Sequence, residues 1–156
     1  MEAIWTASIG LDDWSLELEG YDLVIALGRL LEHNGDSTPQ RLSAMALVNK
    51  GITLGQLNRN EEEIAVYDQV VARFGEAAEP ALREQVARAL FNKGITLGKH
   101  SRSEEALAAY DQVVARFGEA AEPALRDRVA RALVNKGVRL ASSPVARRRS
   151  LPSIKW

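Results

Sequence analysis

Asparagine is the residue whose placement in this 156-residue chain most invites a chemical question. Asn49, Asn92 and Asn135 each open an N-K-G triplet, and they stand 43 residues apart. A carboxamide offers a donor and an acceptor side by side. Inside a helix, however, it competes with the backbone for hydrogen bonds and is an indifferent choice. Residues that could make or break covalent bonds are sparser. His33 and His100 are the only histidines, each near a turn and neither in a metal-ligand spacing. The absence of cysteine removes disulfides, thiolate metal sites and a thiol nucleophile. Glu61, Glu62, Glu63, Glu104 and Glu105 fall at helix starts, where the positive end of the helix dipole accounts for them. GITLG occurs twice, but inside a helical pattern rather than after a strand, so it is no phosphate-cradling loop. The expectation is a protein that is not an enzyme and carries no metal or cofactor.

The asparagines ride on a repeat. Residues Ala46 to Arg88 are followed at once by a near copy, Ala89 to Arg131, identical at 33 of 43 positions. A third start, ALVNKG, begins at Ala132 and then breaks off. A period of this length is the signature of a solenoid whose units bury their apolar faces against their neighbours. Each unit reads as two helices. Leu82, Val86, Leu90 and Leu97, with Phe91 and Ile95 beside them, keep helical spacing along a first segment. Leu107, Tyr110, Val113, Val114 and Phe117 do so along a second. Ser103 is placed to cap the second helix, and Gly118 to end it in a positive-φ conformation. Pro80 and Pro123 suit the first turn of the helix that follows the GEAAEP link.

These residues carry a family resemblance. Leu47, Gly51, Leu54, Tyr67 and Val70 recur as Leu90, Gly94, Leu97, Tyr110 and Val113, an order that resembles the tetratricopeptide repeat. The unit is longer than the usual length of about 34 residues, and in this it is similar to the repeats of kinesin light chains. A HEAT-like array of helical hairpins is the alternative. The resemblance implies an all-α fold, an alpha-alpha superhelix of antiparallel helix pairs. It also implies that Gly51, Gly94 and Gly137 let the first helix approach the second. Ala106 fits the small position of the second helix, and Glu63 in the other copy departs from it. In such arrays one face of the first helix lines a concave groove, and the matching Asn bonds the main chain of an extended peptide. Carried onto this sequence, the groove comprises Asn49, Ile52 and Gln56, then Arg88, Asn92, Ile95 and Lys99, then Arg131, Asn135 and Val138. Its basic residues favour an acidic peptide or a free carboxylate. The competing account is that each Asn bonds a neighbouring helix, and recent duplication alone also makes copies share residues. Lys50, Lys93 and Lys136 read as structural, with stems along the core edge and ammonium groups paired to an adjacent helix.

The flanks read as degenerate units. Residues 1–45 form an N-terminal capping repeat, in which a helix over 15–33 begins its echo of Tyr67 at Tyr21, and Trp5 and Trp14 shield the end of the stack. After the units 46–88 and 89–131, residues 132–142 finish a first helix that starts near Glu122, reaches about Leu140 and has nothing paired to it. Residues 143–156 read as a basic, flexible tail. Its Arg147–Arg149 run is too short to argue for nucleic acid in the absence of a recognised nucleic-acid fold. Charge grades along the chain, from −6 over residues 1–45 to +6 over residues 132–156. No apolar run approaches the about 18 residues of a membrane span, and no signal peptide is legible, so cytoplasm is the expected location. The expected role is capture of a protein or peptide partner in the groove. The alternative is a self-assembling scaffold, a homo-oligomer stacked head to tail through the terminal helix.

Overall fold

A computed structural model describes residues 3–32 and 36–142, with side chains from residue 13 on. All the regular structure among them is helical: α1 Ala3–Leu31, α2 Thr38–Gln56, α3 Asn60–Phe74, α4 Pro80–Lys99, α5 Ser103–Phe117 and α6 Pro123–Ser142. The side chain of Trp5, His33, and the tail after Ser142 with its Arg147–Arg149 run lie outside what is described. α1 starts well before the expected residue 15, in keeping with a sequence that holds no proline ahead of Pro39.

The chain divides into two compact units, Met1–Ala89 and Leu90–Trp156, and the division falls inside α4 at the junction of the two sequence copies. In the first unit α2 packs against both α1 and α3. Its core includes Leu47, Leu54, Tyr67 and Val70, each no more than 1% exposed. In the second unit α5 packs along α6, around Leu97, Tyr110, Val113 and Leu125. α6 therefore does have a partner, on the face that carries Leu125 and Ala132. What it lacks, among the described residues, is a helix on its opposite side.

The close approach expected at the central glycines is present in both complete copies. A Cβ on Gly51 would lie 2.5 Å from Cε1 of Tyr67, and one on Gly94 would lie 2.5 Å from Cε1 of Tyr110. Nothing comes within 4 Å of the same position at Gly137. One turn further on the copies diverge. A Cβ on Gly55 would lie 2.8 Å from the Glu63 carboxylate, whereas beside Gly98 the room is taken by the guanidinium of Arg139. Ala106, at the position of Glu63, is fully buried.

Two sequence expectations about helix ends are corrected. Ser103 does not cap α5, because it is itself the first helical residue and the preceding Arg102 makes no side-chain cap. Instead Arg102 folds onto Glu105, with Nε–Oε1 at 2.7 Å and Nη2–Oε2 at 2.8 Å, as Arg59 folds onto Glu62 ahead of α3. Gly118 has φ −57, ordinary helical geometry. Among the described residues, the non-glycine left-handed ones are Asn58 (φ 58) and Ser101 (φ 62), at the ends of α2 and α4. There Arg59 N–H donates to Leu54 C=O and Asn58 N–H to Gly55 C=O, and Arg102 and Ser101 repeat the pattern onto Leu97 and Gly98. This pairing closes a helix whose next residue is left-handed.

The arginine forks make a testable contribution. The hydrogen bond from Arg59 holds the Glu62 carboxyl below the usual carboxylate range, and Arg102 does the same to Glu105. A carboxyl whose pKa is depressed by folding stabilises the fold above its unfolded pKa, and the benefit is lost as pH falls through the folded value. The expected result for Glu105→Gln is a lower thermal midpoint than wild type at neutral pH. The two midpoints should converge in acid, once the carboxyl is protonated in both states.

Candidate functional site

The second unit contains a cleft of about 760 Å³ where the end of α4, the start of α5 and the last turns of α6 meet. Helical spacing positions its lining. Ile95 and Lys99 are one turn apart on α4, Leu107 and Tyr110 lie three apart on α5, and Asn135 and Val138 lie three apart on α6. Four of the residues expected in a groove, Ile95, Lys99, Asn135 and Val138, are thus brought to one place. The walls are mixed in chemistry. Lys99 and Arg139 supply two cations, Glu104 one carboxylate, and Ile95, Leu107, Val138 and Leu140 an apolar surface.

Arg139 is the member that the repeat does not announce, since Thr53 and Thr96 occupy its position in the other copies. That departure from the copies was its only sequence signal. Its Nη1 donates to the carbonyl of Gly98 at 3.0 Å, and its Nε is buried with no hydrogen-bond partner. A buried guanidinium N–H without an acceptor is costly, and this one is closed off from solvent beside Gly98, where an added Cβ would fall 2.4 Å from it. Asn135 contributes an amide that is only lightly engaged, its Nδ2 lying 3.5 Å from the hydroxyl of Tyr110. That distance is at the outer edge of a hydrogen bond.

No family model, curated protein or solved structure matches this chain.

The other expected groove residues are placed differently. Asn49 and Ile52 are half-buried on α2 and Gln56 is exposed at its end, all in the first unit. Arg88 is half-buried on the first half of α4, and Asn92, half-buried further along, does not line the cleft. Arg131 is exposed and paired one turn back with Asp127 at 2.9 Å, so its charge is spent along α6 rather than in the cleft. Two of the three lysines pair across to an adjacent helix, as expected of structural residues: Lys50 meets Asp22 of α1 at 2.5 Å, and Lys136 meets Asp111 of α5. Trp14 is half-buried beside Glu17 on α1. Among the described residues no group of three or more His, Cys, Asp or Glu converges to hold a metal, and no helix is long and apolar enough to cross a membrane.

Proposed function

We propose that the protein is a binding module whose helix pairs belong to a solenoid of tetratricopeptide type. In this reading the cleft of the second unit takes an extended segment of a protein partner. The observation that carries it is the convergence of Ile95, Lys99, Asn135, Val138 and Arg139 on one open cleft. The apolar members accept alternate side chains of the segment, and the Asn135 amide bonds its main chain through paired donor and acceptor. Lys99, exposed at the end of α4, selects an acidic side chain or a terminal carboxylate. The reading assigns no catalytic step, cofactor or metal.

A displayed library of extended peptides tests it. Wild type should enrich sequences that combine an apolar residue with an acidic one or a free C-terminus. Lys99→Glu should weaken those peptides by about tenfold, equivalent to about 1.4 kcal/mol. The triple Asn49, Asn92, Asn135→Ala variant should weaken them without altering helicity. If no class of peptide is enriched, or if Lys99→Glu binds the enriched peptides as well as wild type, the cleft is not the site.

A further inference from the structure

All the exposed large apolar side chains among the described residues lie on α1, on the first half of α2 or on α6, and none lies on α3, α4 or α5. On α6 they reproduce a face that the other copies bury. Leu47 and Leu90 are 1% exposed and their counterpart Leu133 is 50% exposed; Leu54 and Leu97 are 1% and 0% exposed, and Leu140 is 48%. Gly137 sits between Leu133 and Leu140 on this face, with the space that Tyr67 and Tyr110 fill in the complete copies left open.

α1 presents the complementary gap. By alignment on Tyr21 it is a second-type helix, the kind that supplies the tyrosine. Its Tyr21 is only half-buried, against 1% exposure for Tyr67 and Tyr110, and Val24 is 37% exposed where Val70 and Val113 are fully buried. Gly20 stands where Val66 and Ala109 are buried and has nothing within 4 Å. Beside it, α1 and α2 frame an apolar groove of about 350 Å³ lined by Val24, Leu27, Leu31 and Leu42. Among the described residues, α1 in the first unit thus lacks a first-type helix beside it, and α6 in the second unit lacks a second-type helix after it.

We propose that the occupant of both gaps is a second copy of this chain. The α6 of one copy lies in the α1–α2 groove of the next, with Tyr21 seated over Gly137 as Tyr67 is over Gly51. Charge favours the same pairing, since residues 1–45 carry −6 and residues 132–156 carry +6. The two contact surfaces differ, so the association is heterologous and propagates into rings or filaments rather than stopping at a symmetric dimer. It uses Leu133, Gly137 and Leu140 of α6, the last of which also edges the cleft, so Lys99→Glu, on α4 and away from this face, separates a failure of peptide capture from a failure of assembly.

Sedimentation of the full chain at low and high ionic strength is the test. Wild type should form assemblies larger than dimers that grow with concentration and shrink with salt. Gly137→Arg and Gly20→Glu each place a Cβ in open space, and each adds to the charge complementarity, so any loss of assembly reports on the packing surface. Each variant alone should be monomeric with unchanged circular dichroism. Mixed, they should give a dimer and nothing larger, because one intact surface of each kind remains. Val134→Glu, on a side chain 64% exposed, serves as a second α6 variant should Gly137→Arg disturb the helix. A monomeric wild type, as when another segment of the chain covers α6, would overturn the proposal. So would variants that assemble like wild type, or a mixture that stays monomeric.

Discussion

Replacing Tyr110 with alanine should lower the free energy of unfolding by about 3–5 kcal/mol, the cost of deleting a buried aromatic ring. Tyr110 is 1% exposed, its ring lies over Gly94, and Phe91 stands 6.0 Å away between ring centroids. No neighbour is placed to fill the hole, because the helix that faces it carries a glycine there. Tyr110→Phe keeps the ring and gives up only the long contact to Asn135, so its cost should stay below about 1 kcal/mol. Denaturant unfolding followed by circular dichroism separates the two. Equal losses for Ala and Phe would mean that the hydroxyl, not the ring, holds α5 in place.

One substitution made at equivalent positions should change sign along the chain. Gly94→Ala drives a methyl group into the Tyr110 ring, and overpacking of this kind costs about 1–3 kcal/mol. In a single copy, at a dilution and salt concentration where chains do not assemble, Gly137→Ala meets open space in the middle of α6 and should gain most of the about 0.5–1 kcal/mol by which alanine exceeds glycine in a helix. Thermal melts of the two variants under matched conditions check the pair, with Gly51→Ala expected to follow Gly94→Ala. Two gains would show that the glycine–tyrosine approach has slack. Two losses would show that something covers Gly137.

The helices were legible because the repeat supplies each signal twice. Leu82, Val86, Leu90 and Leu97 announce the buried face of α4 by spacing alone, and Pro80 and Pro123 mark helix starts that the fold respects. The ends of helices were less legible. Gly118 looked like the left-handed residue because glycine adopts that conformation without strain, yet the backbone puts it at Asn58 and Ser101, where the close of α2 and α4 demands it. Asparagine hinted at this in one copy and serine hid it in the other. The candidate site was half legible. Periodicity can say that Ile95 and Asn135 lie on corresponding faces of their helices, and the fold does bring them to one cleft. It cannot say that Arg139, at a position filled by threonine elsewhere, turns its guanidinium beside Gly98. Nor can it say that Arg131 pairs with Asp127 instead. Those outcomes depend on side chains meeting across helices, which a repeating pattern does not encode.

The hollow beside Gly55 is filled by Glu63 and the one beside Gly98 by Arg139, and this difference bears on the inheritance of the array. Tandem copies this alike invite unequal crossing-over. An exchange that deletes one unit would bring the helix carrying Arg139 next to the pair carrying Gly55 and Glu63, setting a cation and a carboxylate in one hollow. The reciprocal duplication would place Ala106 and a threonine there and leave it underfilled. The two products are not equally fit to fold, so the near-identical halves of this chain have already ceased to be interchangeable.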